Sequence, residues 1–268
     1  MGAACLGLCV ALLSVGSTLA DEAGHTVILK DCAADPVKGV SVTYAPAENL
    51  FLAADGARYF ASDLRFPERA ADQSPPDART VDAPAEEFSA IALGEPNRWG
   101  LIPAWIVTGR AGEAGLWQAL QLEAGRAIFA PGHGEAACAQ ALRRAESHAR
   151  RTGMGIWRQG GTVRIYSTDR PGPLEAAAGR YVIARGRIVS LGKTRRTRYL
   201  NFGKYWKTDV TGTLKTAEED RFSAALGGAA GALDALAGRF VELRGVVELK
   251  DGPLITLRHP EQLVVLDD

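Results

Sequence analysis

Short runs in which apolar and polar residues alternate recur along the chain, a pattern typical of β-strands with one buried face. In the first part of the chain the runs predict strands at 25–30, 40–44, 50–53, 58–61, 88–92 and 104–107. Asp55-Gly56 separates two of these runs and predicts a hairpin, because this dipeptide readily forms tight turns. Later runs predict a second β-rich unit, with strands at 179–189, 197–202, 208–213, 239–247, 253–257 and 263–266.

Helical spacing occurs in three stretches, and it is clearest over 142–157. There Leu142, Ala145 and Ala149 recur at three- and four-residue intervals and form one apolar stripe. Gly153 and Gly155 are expected to end this helix, since glycine readily adopts positive φ. The other two predicted helices are 113–125 and the alanine-rich segment 220–237.

Positive and negative charges balance over the 268 residues, with 31 Lys and Arg against 31 Asp and Glu. A strong non-specific binder of polyanions usually has a basic excess, so any nucleic-acid binding would depend on a local patch. Four arginines lie on the polar faces of the helix predicted over 142–157: Arg143, Arg144, Arg150 and Arg151. We expect them to be solvated, and a basic binding face is the alternative.

The first 20 residues are uncharged and mostly apolar, with small residues at 18–20 before the acidic pair Asp21-Glu22. They predict a cleaved secretory signal and therefore a periplasmic or secreted protein without a membrane segment after cleavage. An uncleaved membrane anchor is the alternative, because about 20 apolar residues can span a bilayer.

Cleavage would remove Cys5 and Cys9 and leave Cys32 and Cys138 as the two remaining cysteines. In an oxidising compartment two cysteines suggest one disulfide, and two separate buried thiols are the alternative. From Gln159 to Pro173 the composition shifts to glycine, proline and small polar residues, which indicates a linker. We therefore predict a signal peptide over 1–20, a first domain over 21–158, a linker over 159–177 and a second domain over 178–268.

The residues around the predicted helix carry a resemblance to a known family. The order Leu142, Glu146, Ala149-Arg150 and Gly155-Ile156-Trp157 resembles the last helix of the staphylococcal-nuclease (thermonuclease) family. Segments 199–211 and 252–262 resemble the C-terminal OB domain of secreted bacterial nuclease-family proteins. The resemblance implies a mainly β fold with some α-helix (α+β), in which a thermonuclease-like OB-type barrel with packed helices precedes a second OB-like barrel.

The same resemblance implies a degenerate nuclease site. Family members hydrolyse phosphodiesters with a Ca²⁺ ion held by carboxylates, a glutamate general base and two arginines on the phosphate. Glu68 matches the general base in Pro67-Glu68, whereas Arg65 stands at an acidic metal-ligand position. Phe60 and Leu101 stand where the family has its arginines. Because each such donor contributes roughly 10²–10³ in rate, we expect a largely lost catalytic set.

Two further residues bear on this site. Glu48 is the one carboxylate left in the segment that aligns with the family's metal-binding turn, and it is the candidate metal ligand. Arg58 precedes Phe60 by two positions, so on a strand it would share its face and substitute for the lost arginine. An ordinary exposed arginine is the alternative. A further hypothesis is that Arg65 pairs with Glu68 and Glu48 in place of the ion. No cofactor is expected, except Ca²⁺ if the chain is an active Ca²⁺-dependent phosphodiesterase that uses Glu68 and Glu48.

The densest basic and aromatic cluster lies in the second unit. Its candidate nucleic-acid-binding residues are Arg195, Arg196, Arg198, Tyr199, Asn201, Lys204, Trp206 and Lys207. Aromatic rings that stack on bases, interleaved with cations that contact phosphates, are typical of single-strand-binding OB domains. The cluster predicts a module that binds single-stranded nucleic acid or a protein partner. The alternative is a basic hairpin with Phe202 and Trp206 in the core.

Overall fold

The computed structural model describes residues 30–32, 39–67, 87–109, 114–205, 207–228 and 231–266. The predicted signal peptide therefore lies outside the described residues. Strands of the first half are Val40–Ala45 (β1), Leu50–Ala53 (β2), Arg58–Ala61 (β3), Leu64–Arg65 (β4), Phe88–Ala92 (β5), Leu101–Thr108 (β6), Gly115–Leu116 (β7) and Ile128–Phe129 (β8). Helices Trp117–Glu123 (α1) and Ala136–Thr152 (α2) complete this unit, followed by a 3-10 turn, Gly155–Trp157.

Five of these strands form a closed OB-like barrel. The order β3-β2-β1-β5-β6 is closed by a parallel pairing between β3 and β6, while the other neighbours are antiparallel. The predicted hairpin is present at Asp55-Gly56, where Gly56 has φ of 87°. Along β3, Tyr59 is buried and Arg58 is exposed, as expected when alternate side chains face the barrel interior and the solvent.

The core of the first unit joins the barrel to both helices. The Phe51 ring lies 4.9 Å from Tyr44, 5.5 Å from Phe88 and 5.1 Å from Trp117. Leu142, which lies on the predicted apolar stripe of α2, is fully buried in the same cluster. Burial of this stripe on the barrel accounts for the helix, because periodic apolar residues gain most when one face is covered.

The C-terminus of α2 confirms the predicted stop at Gly153, which caps the helix with φ of 66°. Gly155 has a second reason to be glycine. A Cβ there would lie 2.1 Å from the Gly125 carbonyl oxygen, and the neighbouring Ile156 N–H donates to that oxygen at 2.8 Å. The Gly-Ile-Trp sequence therefore docks the chain onto the end of α1.

The second unit contains an eight-stranded sheet with a separate core. Its strands are Ile165–Ser167 (β9), Tyr181–Arg187 (β10), Ser190–Lys193 (β11), Thr197–Asn201 (β12), Thr211–Lys215 (β13), Phe240–Leu249 (β14), Pro253–Thr256 (β15) and Leu263–Val265 (β16). The path is β11-β12-β13-β15-β14-β10-β9, and β16 pairs with β14. The path begins at β11 and has β10 near its other end. Only two residues, Ile188 and Val189, connect these two strands, so both ends of the path meet at one nearly continuous segment.

Two short helices belong to this unit, Pro171–Glu175 (α3) and Glu219–Ala225 (α4). The segment predicted as a linker thus carries β9 and α3, and Leu174 of α3 is fully buried in the second core. The single helix predicted over 220–237 is wrong. It is replaced by α4 and a 3-10 turn, Asp234–Leu236, because Gly227 and Gly228 have positive φ and end the first helix early.

A disulfide joins Cys32 to Cys138 in α2, as the cysteine count suggested. Residues 30–32 are helical, so the strand predicted over 25–30 is wrong at Lys30, and the rest of that segment lies outside the described residues. None of the helices in the described part of the chain is both long and apolar enough to cross a bilayer.

Candidate functional site

A buried network of opposite charges joins α2 of the first unit to β14 of the second. Arg244 donates to Glu146 through Nη1 at 3.0 Å and Nη2 at 2.6 Å, and through Nη2 to Glu242 at 2.7 Å. Its Nη1 also donates to the Phe129 carbonyl at 2.9 Å. Glu146 in turn accepts from the Phe129 N–H at 2.8 Å. The guanidinium therefore bridges both units while completely buried.

Two more arginines complete the network around Glu242. Arg150 of α2 donates to it at 3.1 Å, and Arg185 of β10 donates at 2.9 Å. Burial alone would raise the pKa of Glu242, but the charges of Arg244 and Arg150 outweigh it and hold that pKa well below its ordinary value. Burial likewise opposes the charge on Arg244, and the two carboxylates overcome it and raise the Arg244 pKa. Both partners therefore stay charged inside the interface.

The rim of this interface contains a second set of contacts. Arg143 of α2 donates to the Glu261 backbone carbonyl and lies 3.3 Å from its carboxylate. Buried His259 hydrogen-bonds the Gly134 backbone, and its Nδ1 accepts from the Glu261 N–H at 3.3 Å. Burial and then the charge of Arg221 lower the pKa of His259, so its ring is neutral at neutral pH.

Ser62, Asp63 and His133 also lie together, but they do not form a hydrolytic triad. The Ser62 hydroxyl is 2.7 Å from His133 Nδ1, and the Asp63 carboxylate is 3.6 Å from the same nitrogen. A triad needs its serine and its carboxylate on opposite ring nitrogens. Asp63 instead accepts backbone N–H groups from Gly132, at 3.1 Å, and Gly134, at 2.9 Å, and so shapes the loop before α2.

A cavity of about 470 Å³ lies beside the charged network, between the two units. Residues 65–67 and Ile128 form one wall, segment 162–166 forms another, and 179–183 with Val246 form the third. Three arginines line it, Arg65, Arg164 and Arg180, and no carboxylate is among its described lining residues. Arg65, which stands at the position of a metal ligand in the family that the sequence resembles, therefore lines this cavity and is exposed.

Tyr181 lines this cavity as well. Its hydroxyl oxygen is buried and makes no hydrogen bond with the described residues. Burial raises the pKa of Tyr181, so the hydroxyl is protonated at neutral pH and available as a donor. The charges of Arg244 and, to a smaller extent, Arg65 counter this effect in part.

Three of the residues aligned with the nuclease site, Arg58, Phe60 and Leu101, lie on the paired strands β3 and β6, where Arg58 is directly opposite Leu101. Arg58 is exposed and donates to the Trp99 carbonyl at 2.7 Å. Phe60 and Leu101 are half-buried, and neither side chain has a hydrogen-bond donor for a phosphate. Glu48 is exposed in the turn after β1, and no ion pair joins it to Arg65. Glu68 lies outside the described residues.

No group of three or more His, Cys, Asp or Glu side chains suited to a metal ion is present in the part of the chain that the structure describes. The Trp99 side chain, in contrast, is 61% exposed, with the Arg98 guanidinium 3.9 Å from its ring centroid. Arg58, Arg98 and Trp99 therefore make a basic-aromatic turn at the place where the family has its second arginine.

The predicted nucleic-acid-binding cluster is split between the two ends of β12. Arg195 and Arg196 are exposed in the turn before it, and Lys204 and Lys207 are exposed in the loop after it. On the strand, Tyr199 and Asn201 are half-buried on its outer face. Buried Arg198 points to the other side and pairs with Asp234. Trp206 lies outside the described residues, so the alternative that places it in the core stays open.

The sequence placed Tyr205 in the basic and aromatic cluster but not among the candidate binding residues, and it gave no indication of Lys250. Tyr205 is 74% exposed, although a tyrosine next to a glycine-lysine pair gives no periodic signal of exposure. Lys250 is exposed in the turn between β14 and β15. Gly252, in the same turn, lies close to the Asp209 carbonyl. This turn is therefore beside the loop that carries Tyr205. Only the fold joins segments so distant in sequence.

Comparison with protein-family models and with curated proteins found no match to this chain. No family is therefore shown for this chain, and the structure shows a closed five-stranded OB-like barrel.

Proposed function

We propose that the protein is a thermonuclease-like chain that binds single-stranded nucleic acid without efficient hydrolysis. The support for a lost catalytic set is local. The substitute cation Arg58 is engaged with the Trp99 carbonyl, and Phe60 and Leu101 offer the phosphate no charge. Transition-state stabilisation of a phosphodiester depends on such donors.

The second unit is proposed to be an OB-type barrel. Its strand path, β11-β12-β13-β15-β14-β10, begins and ends on consecutive segments of one interrupted strand, which is the connectivity of a five-stranded barrel. OB folds bind oligonucleotides on the face of their second and third strands and on the adjoining loops. Here these are β12, β13, the turn before β12 and the turn before β15.

The observation that carries the proposal is the exposed Tyr205 ring among three lysines. Lys204 and Lys207 flank it in the chain, and the turn with Lys250 lies beside it. We call Arg195, Arg196, Lys204, Tyr205, Lys207 and Lys250 the hairpin surface. Since β12 is roughly 17 Å long, a strand crossing from Arg196 to Tyr205 would pass over half-buried Tyr199. Cations at both ends and rings between them suit a stacked single strand.

The test is fluorescence anisotropy of the full chain with a labelled oligothymidylate. Tyr205→Ala should weaken binding by about 1–3 kcal/mol, the usual contribution of one base stacked on an aromatic ring. The double variant Arg195→Gln/Arg196→Gln should reduce the slope of log affinity against log salt by about 0.7 per lost phosphate contact.

Arg239→Gln is the matched control, because Arg239 is exposed on the same unit but outside the hairpin surface. This variant should bind oligothymidylate with an affinity within about twofold of that of the wild type. Equal losses in the control and in Tyr205→Ala, or an affinity independent of salt, would refute this proposal.

A further inference from the structure

The cavity between the two units is a second binding site, and we infer that it takes a small organic anion carrying a phosphate group. Arg65 comes from the first unit, Arg164 from the segment between the units and Arg180 from the second unit. Arginines from three segments therefore line one pocket that is open to solvent, and no described lining residue supplies a negative charge. An anionic ligand compensates such a set directly.

The partners of these arginines leave their charge uncompensated. Arg65 makes no ion pair with the described residues, Arg164 lies 4.6 Å from the Tyr166 ring centroid, and Arg180 donates to the Ala176 carbonyl at 3.0 Å. A ring and a carbonyl orient a guanidinium but do not neutralise it. Each arginine keeps further N–H donors for a ligand, since a guanidinium has five.

The Tyr181 hydroxyl is a buried polar group that the described residues leave without a hydrogen bond. Such a group is costly, and native structures usually satisfy it with protein, water or ligand. Its oxygen has almost no accessible surface, so a ligand in the cavity would reach it only after a shift of the side chain. Three cations suit the three oxygens of a phosphate monoester better than the two of a carboxylate.

Apolar side chains indicate that the ligand has a non-polar body. Phe66, Ile128 and Val246 contribute to the walls between the arginines. The cavity volume of about 470 Å³ lies within the range of about 300–1,000 Å³ that small-molecule pockets usually have. Inorganic phosphate alone would leave these apolar walls without contacts.

Phenyl phosphate is the probe, titrated calorimetrically into the full chain beside benzoate and inorganic phosphate. We expect phenyl phosphate to bind more tightly than either. Arg65→Gln and Arg180→Gln should each weaken it about tenfold or more, because each removes a charge-assisted hydrogen bond. Arg151→Gln is the control, since Arg151 is exposed on α2 and does not line the cavity.

Tyr181→Phe keeps the ring and removes only the hydroxyl, so it tests the site even if an arginine variant folds poorly. It should weaken phenyl phosphate and leave the thermal midpoint of the free protein equal to or above that of the wild type, because the lost hydroxyl is unsatisfied. Binding of phenyl phosphate that is undetectable, or unchanged in all three cavity variants, would overturn the inference. Benzoate binding as tightly as phenyl phosphate would overturn the choice of phosphate.

The site stands apart from the hairpin surface. Cavity variants should leave oligothymidylate affinity within about twofold, and Tyr205→Ala should leave phenyl phosphate affinity unchanged. A loss of both ligands in every variant would show that the two surfaces are one site and would contradict this separation.

Discussion

Two groups of arginines, one in the interface and one at the cavity, differ in the residues that contact them. In the interface, Arg244, Arg150 and Arg185 share the carboxylates of Glu146 and Glu242 at distances of 2.6–3.5 Å. In the cavity, three arginines face a tyrosine hydroxyl and apolar walls without a described carboxylate. Every arginine of the interface group contacts a carboxylate, whereas no carboxylate is among the described residues that line the cavity.

This difference separates charges that hold the molecule together from charges that are available for binding. A buried ion pair is weak support for stability by itself, but removing one partner leaves an uncompensated buried charge. An arginine at a cavity wall stays partly hydrated, so its loss costs little in the free protein. Substitutions in the interface group should therefore lower the free energy of unfolding, and substitutions in the cavity group should weaken ligand binding.

The largest effect is expected for Glu146→Gln. This nearly isosteric change leaves Arg244 buried with one carboxylate instead of two, and removing one member of a buried pair typically costs about 3–5 kcal/mol. Urea unfolding followed by fluorescence measures the change in the free energy of unfolding. The exposed Glu248 provides the control, since Glu248→Gln should stay within about 0.5 kcal/mol. Equal costs for the two variants would show that the interface network does not join the units.

A smaller effect is expected from the titration of His259 at the rim of the same interface. Its pKa is lowered in the folded protein, so between the folded value and the unfolded value of about 6.5 the unfolded chain binds more protons. Stability should therefore be complete above about pH 6.5 and fall as the pH drops below it. His259→Asn keeps a side-chain acceptor for the Glu261 N–H but does not titrate, and it should flatten this part of the profile. An identical slope in wild type and variant would contradict the assignment.

The smallest effect on stability is expected for Arg65→Gln. Because Arg65 is exposed at the cavity and has no described ion pair, its replacement should change the free energy of unfolding by no more than about 0.5 kcal/mol. Urea unfolding beside Glu146→Gln gives the direct contrast. A loss as large as that of Glu146→Gln would place Arg65 among the structural arginines and would erase the difference between the groups.

Local patterns were sufficient to predict much of the backbone. Alternation located β1, β2, β3 and β5, and the Asp55-Gly56 turn, the apolar stripe of α2 and its end at Gly153 follow from local rules. The disulfide followed from counting cysteines. Each of these depends on neighbours in sequence or on a choice between very few partners.

The charged interface was not predictable in the same way. The basic face of α2 was expected to be solvated, and this is correct for Arg144 and Arg151 but wrong for Arg143 and Arg150, which are half-buried against the second unit. A charge that will be buried by a distant carboxylate has the same local pattern as one that faces water. Glu242 and Glu261 lie about a hundred residues away, and only folding brings them to α2.

We propose that this chain uses its arginines for assembly and binding and has none at the positions that hold the phosphate in the thermonuclease family that the sequence resembles. The most direct test is cleavage of supercoiled plasmid and labelled single-stranded DNA by the full chain, with Ca²⁺ and with chelator, beside Glu68→Ala. We predict intact DNA under every condition, with the single strand bound. Cleavage that requires Ca²⁺ and disappears in Glu68→Ala would contradict the account and make the protein an active phosphodiesterase.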